Sequence, residues 1–402
     1  MRTRSSRATS ASAAPLRRPG GRKSFPVSLP LVEGMGSISR LHERFVRYCE
    51  TRSPTGEERE IADTLAAELQ AMGLEVSEDD AAEAAQAGAG NLLARSPGTG
   101  PGWAMFCAHI DTVPHRGQVE VVSDEGIFRS RGETILGADN KAAVAVFMEL
   151  IARHVKRPAP IGIELVLTVA EEQGLRGAKA FDASQLHSSA GFVLDHAGAI
   201  GEVIVSTPTQ QKILADFIGV EAHAGIRPED GSNAIAAAAA AVARMELGRL
   251  DEGTTSNVGL IAGGTSGNVV PGHCAIHAEA RSLESERAAE VAGKIADACA
   301  WGASEHGCDV DVRIEELFRG YKVPKDSAAL GLAEEGLRGA GLEPQRVAIG
   351  GGSDANVFRR DGFDCILLSN GTDSVHTSDE MVPARSLDKM LDVCERIVAA
   401  AG

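Results

Sequence analysis

The sequence predicts an α/β protein in which a mixed sheet covered by helices is interrupted by a smaller α+β unit. Three observations carry this reading. Short apolar runs bounded by turn residues alternate with helical stretches over the first half of the chain; a self-contained βαββαβ order fills residues 210–318; and helix and strand alternation resumes from there to the C-terminus.

Taken in order, the folded part opens near Ser37, and Thr55 with Glu58 reads as a capping box for a helix that runs to Met72 and is stopped by Gly73. Apolar runs at 91–94, 103–110, 161–170 and 191–194 read as strands, with a helical stretch over 140–154. The second unit begins near Gln210 with a strand over 212–221 and a helix opened by Ser232 and Asn233. Strands over 257–262 and 275–281, a helix over 284–301 and a strand over 309–315 complete it. Helix and strand alternation returns from Ser327, with short strands at 346–349 and 365–368. The expected organisation is therefore one domain built from 37–209 and 319–402, into which 210–318 is inserted. No internal repeat is present.

Composition narrows the class of partner. A chain of 402 residues with 43% apolar content fills two ordinary cores. A net charge of -16 disfavours nucleic acid and anionic membrane surfaces. The longest apolar candidate for a span, 234–243, is alanine-rich, too short to cross a bilayer, and ends at Arg244. The seven cysteines are scattered without a CxxC pair, which suits reduced thiols in a cytoplasm and argues against a cysteine metal site. The first two dozen residues hold seven Arg or Lys and no acid, so 1–36 is expected to be disordered. It reads as a dispensable tail or as sequence ahead of a true start at Met35, a transit peptide being the remaining option.

The residues with chemistry recur at the ends of apolar runs. His109 and Asp111 close the run 103–110, at the sheet edge where α/β proteins bind ligands. A carboxylate beside a histidine can hold one ring N–H while the other nitrogen ligates a metal, although a structural pair fits equally well. Asp139 sits just before a helix and reads either as an N-cap or as a carboxylate able to bridge two cations. Glu171 and Glu172 follow the run 161–170; adjacent strand residues face opposite ways, so both serve one site only if the backbone turns, which Gly174 permits. Asp195 ends the next run and His376 lies beyond 365–368. Each has a bland alternative as a loop residue, but five such positions past successive strand-like runs point to one site. Two histidines and three carboxylates suit zinc, cobalt or manganese. A shared Asp would leave positions open for a bridging water, whose pKa two ions about 3.5 to 4 Å apart lower toward about 7.

The blocks FCAHIDTV (106–113), LGADNKA (136–142), TVAEEQG (168–174) and SVHTSDE (374–380) resemble the motif set of the peptidase T-like metallopeptidases, in the superfamily of carboxypeptidase G2-type enzymes, aminoacylases and succinyl-diaminopimelate desuccinylases. The resemblance runs from about Ser37 to the C-terminus. It implies a catalytic domain interrupted by a lid and dimerisation domain. It also implies that His109, Asp139 and Asp195 hold one metal, and Asp139, Glu172 and His376 the other. By the same resemblance Glu171 is the general base and Asp111 orients His109. Asn140 stands where many relatives carry Asp, a change expected to leave the site intact. AHAG (222–225) and PEDGSNAI (228–235) resemble the lid segment whose histidine, here His223, stabilises the oxyanion. Asn268 and Arg281 resemble lid contacts to substrate, Arg281 being suited to a carboxylate. Gly351, Gly352 and Ser353 resemble a glycine loop beside the substrate.

The implied activity is hydrolysis of peptide bonds in short peptides, by an aminopeptidase that is tripeptidase-like, with two divalent ions, zinc first and cobalt or manganese next. A homodimer through the lid and a cytoplasmic location go with it. The alternative within hydrolases is an N-acyl amino acid deacylase, desuccinylase or carboxypeptidase; the alternative of another class is a non-catalytic binding homologue.

Overall fold

The computed structural model describes residues 39–402, and the basic N-terminal segment read as a tail lies outside the described residues. Its centre is a nine-stranded mixed sheet whose order is Val76–Glu78, Leu92–Ser96, Gly162–Thr168, Trp103–His109, Gly191–His196, Cys365–Ser369, Glu202–Thr207 and Tyr321–Lys322, with Gln345–Ala348 also paired to Glu202–Thr207. Four neighbours in the middle, from Gly162–Thr168 to Cys365–Ser369, run parallel. Parallel strands need cover on both faces, which is why the run 103–109 is apolar almost throughout. On one face Phe106 meets Phe147 from the helix Ala138–Lys156 and Phe192 from the next strand, with ring centroids 5.4 and 5.3 Å apart. On the other, Cys107, Val166, Val193 and Leu367 pack with Phe358 of the helix Asp354–Arg360.

Because those strands are parallel, their C-terminal ends share one edge. His109 lies opposite Thr168, and Ser369 opposite His196. The loops after these ends carry the acids and histidines singled out by the sequence.

A five-stranded antiparallel sheet, ordered Gly248–Asp251, Thr254–Gly263, His273–Ser282, Thr209–Ile218 and Asp309–Phe318, carries the helices Ala234–Arg244 and Ser285–Glu305 on one face. Alternation of period two sorts its residues: Ile213, Ala215 and Phe217, with Cys274, Ile276, Ala278 and Ala280, form a separate core under those helices. A third sheet of Val121–Asp124, Ile127–Ser130 and Met381–Pro383 was not anticipated.

The capping box expected at Thr55 and Glu58 is not formed. The helix begins later, at Arg59–Ala71, without a side-chain cap. The Glu58 carboxylate instead accepts from the Gly56 and Gly88 N–H groups, while Thr55 donates its hydroxyl proton to Asp111 Oδ2 at 2.7 Å. A tertiary acceptor outcompeted the local cap. Among the described residues no helix is long and apolar enough to cross a membrane.

Candidate metal centre

His109 is the last residue of its strand and is 2% exposed. Its Nδ1 donates to the backbone carbonyl of Asp111 at 3.1 Å, with the Asp111 carboxylate at 3.4 Å. That fixes the ring so that Nε2 faces outward, 3.3 Å from Asp139 and 3.3 Å from Asp195. The Asp111 carboxylate does more than orient this ring. Its oxygens accept from Thr55 Oγ1 and from the N–H groups of Glu171 and Glu172, at 3.0 and 3.3 Å for the last two. It thereby holds the bend that presents both glutamates.

The bend itself is made by Ala170, at φ 48°, with Gly174 at φ 94° closing the turn through its N–H to the Glu171 carbonyl. Gly174 was expected to permit the turn, and it does so together with Ala170, a residue with a Cβ. Ser374 and His376 also have positive φ, 53° and 65°. Non-glycine residues in this region each cost on the order of 1–3 kcal/mol and tend to cluster at functional sites.

Asp139 does not cap its helix; no side-chain cap bond is present, and Asp139 and Asn140 depart from helical φ/ψ. Its carboxylate stands between two imidazoles, with Oδ1 at 3.3 Å from His109 Nε2 and Oδ2 at 3.2 Å from His376 Nε2. His376 Nε2 also lies 3.0 Å from Glu172 Oε1. Within this cluster two overlapping triplets, His109–Asp139–Glu172 and His109–Glu171–Asp195, have donor atoms mutually within 4.8 Å; both draw on the one free nitrogen of His109, so together they outline a metal-binding pocket rather than two separate ligand sets.

The electrostatics ask for cations. Burial, reinforced by Asp139 and Asp354, pushes Asp195 up to about 8. Burial and the Asp195 charge push Glu171 well above the usual carboxylate range. Hydrogen bonds to Asp139 and Glu172 raise His376 to about 10, and although burial opposes charge on His109, Asp195 and the neighbouring acids raise it too. If ionised, the four carboxylates would outweigh the two imidazoles, an excess that divalent ions in place of those protons would neutralise, and the mixed nitrogen and oxygen donors match zinc, cobalt or manganese.

A pattern match to the peptidase family M20/M25/M40 spans residues 105–400, a stretch that contains every residue of this cluster. The chain belongs to that family. This M20-family chain is 37% identical over 369 residues to the uncharacterized protein YqjE of Bacillus subtilis, covering 91% of the chain and all of YqjE. In structure it is similar to the aminopeptidase PepT of Bacillus cereus, with TM-score 0.78, 37% identity, and 90% and 98% of the two chains covered. It is also similar to a tripeptidase of Staphylococcus aureus, with TM-score 0.82, 34% identity and the same coverage. The site is a dinuclear metal centre of the kind that supports metal-dependent peptide hydrolysis.

The other residues singled out by the sequence lie elsewhere. Among the described residues no hydrogen bond or ion pair joins His223, Asn268 or Arg281 to the cluster. His223 and Asn268 are exposed; His223 Nδ1 accepts from the Gly225 N–H and Asn268 Oδ1 from Ser266 Oγ. Arg281 is paired with Glu279 and donates to the Gly350 carbonyl. Ser353 is buried and caps the helix Asp354–Arg360. Gly352 abuts the Phe318 ring, where a Cβ would come within 2.5 Å, whereas Gly351 faces open space.

Three residues assigned no role from sequence support the cluster. Asn140, expected to be neutral, donates to Asp195 Oδ1 at 2.8 Å, a bond that an ionised Asp at this position could not make. Asp354 is buried and accepts from Thr168 Oγ1 at 2.5 Å, beneath the glutamate bend. Glu380, 1% exposed, accepts from the N–H groups of Leu136, Gly137 and Asp139 at 2.8, 2.8 and 2.9 Å. It ties the loop of His376 to the loop of Asp139; its place four residues after His376 was the available signal. Glu380→Gln turns part of an acceptor-only group into a donor facing N–H groups, so about 1–3 kcal/mol of stability should be lost. Metal affinity should fall about 10- to 100-fold. Thermal unfolding with and without chelator, beside elemental analysis, checks both.

Proposed function

We propose that the chain is an aminopeptidase for short peptides, tripeptides first among them. The observation that carries this is Asp139 set between His109 and His376, in a cluster at the C-terminal edge of four parallel strands. The names of two similar structures, an aminopeptidase and a tripeptidase, support the substrate class.

In this reading His109, Asp139 and Asp195 would hold one divalent ion and Asp139, Glu172 and His376 a second, zinc being favoured. Such ions would supply polarisation of the scissile carbonyl and a water whose pKa falls from 15.7 toward about 7. Glu171 takes the proton of the attacking water and delivers it to the leaving amine; its burial excludes competing solvent. Asp111 orients His109 and holds the Glu171–Glu172 bend.

Residues 37–209 and 319–402 are assigned to catalysis and 210–318 to a lid. Closure of that lid would bring His223 to the oxyanion and Asn268 to the substrate. Gly351 and Gly352 form a loop beside the substrate, shaped by Ser353 at its cap position. Past Ser256 the strand Thr254–Gly263 has no partner on one edge among the described residues, and Leu260 and Ile261 are exposed there. An apolar open edge supports a homodimer through the lid, which sedimentation would reveal as twice the chain mass. Scattered cysteines without disulfides support a cytoplasmic location.

Hydrolysis of a free tripeptide, its N-acetyl form and an N-succinyl amino acid, each with added zinc or cobalt, tests the reading. Turnover confined to the free amino terminus is expected. Preference for either acylated compound would make the chain a deacylase instead.

A further inference from the structure

Residues 279 and 281 are two apart on one strand and therefore share a face of the five-stranded sheet, the face opposite the helices that bury Ala278, Ala280 and Ser282. The Arg281 guanidinium is gripped along one edge by Glu279, with Nε to Oε1 at 3.0 Å and Nη2 to Oε2 at 3.1 Å. Gln210, opposite Arg281 in register, donates to Glu279 Oε2 at 2.6 Å and so pins the acid from the neighbouring strand. Arg281 Nη1 donates to the Gly350 carbonyl at 3.1 Å, at the start of the glycine loop. Three of five guanidinium N–H groups are thus engaged, leaving one on each Nη atom.

We infer that Glu279 is a specificity residue: it orients Arg281 and sets the substrate class to peptides with a single carboxylate at their C-terminal end and a neutral or basic last side chain. This rests on the reading of Arg281 as the seat of that carboxylate. Glu279 cancels the charge of Arg281 before substrate arrives. Lys212, opposite Glu279 in register, does not restore a surplus, because Glu315 faces it from the other side. One incoming carboxylate can still use the two remaining donors. A second acid on the last residue would enter a seat with no positive charge left and Glu279 on the far side of the guanidinium. The pair is about one-third exposed, at 29% and 33%, so the repulsion is screened but not abolished. Two like charges roughly 7 Å apart at a surface oppose one another enough to change relative rates on the order of tenfold.

The test compares kcat/KM for Ala-Ala-Ala, Ala-Ala-Ala-amide and Ala-Ala-Glu on the full chain with zinc or cobalt. Ratios between substrates on one preparation are independent of the folded fraction, so a poorly folding variant still reports. The natural chain should favour Ala-Ala-Ala over Ala-Ala-Glu, Glu279→Gln should shrink that preference about tenfold, and Glu279→Asp should retain it. An unchanged ratio in Glu279→Gln overturns the inference. Arg281→Ala is the separate control: it should raise KM for Ala-Ala-Ala and leave the amide unaffected. Equal effects on both would remove the carboxylate seat itself, and with it the role given to Glu279. No hydrolysis of any of the three peptides would instead overturn the aminopeptidase reading.

Discussion

Glu171→Gln should reduce turnover by about 100- to 10,000-fold or more while the protein keeps its full complement of metal. The glutamine fills the same space in the bend held by Asp111, so His109, Asp139 and Asp195 stay where they are. What disappears is the one group assigned to accept the proton of the attacking water. Burial leaves little room for bulk solvent to substitute, since Glu171 is only 9% exposed. KM should change little, because this loss falls on the transition state rather than on ground-state binding. Steady-state kinetics beside elemental analysis would establish both halves. Normal turnover, or loss of metal in proportion to loss of activity, would assign Glu171 to another role.

Asp139→Asn should have the opposite signature. One oxygen of Asp139 faces His109 and the other His376, so replacing it with a neutral amide removes a charged donor from both sides of the cluster at once. Metal should fall below one ion per chain and kcat/KM by on the order of a thousandfold or more. Glu172→Gln makes a graded comparison. Glu172 meets His376, and among the described residues no hydrogen bond or ion pair joins it to Asp195, so one ion should weaken and activity should return in part with excess zinc or cobalt. Equal losses in the two variants would mean that Asp139 serves one ion only.

The strands that build the site were legible because they are parallel and buried, so that a run such as 103–109 is apolar almost throughout and ends abruptly at His and Asp. The expected ligand set was read from five such positions together with the four motif blocks, and the structure brings those five side chains into one cluster. What escaped was held by partners distant in sequence. Thr55 looks like a helix cap until Asp111, 56 residues later, is placed beside it. Glu380 looks like a surface acid until three N–H groups from the Asp139 loop surround it. The strands Val121–Asp124 and Ile127–Ser130 are short and half polar, and the second of them pairs with Met381–Pro383 from the far end of the chain, so no local signal marked them. The pairing of Glu279 with Arg281 is different. Side chains two apart on a strand lie on one face, and opposite charges there are expected to meet, so it could have been read directly.

The dinuclear centre is tested most directly by titrating chelator-treated protein with zinc or cobalt while following hydrolysis of a free tripeptide. Activity should be absent without metal and should rise to a plateau reached at two ions per chain. Full activity in the chelated protein, or a plateau at one ion, would contradict a site built around a shared Asp139.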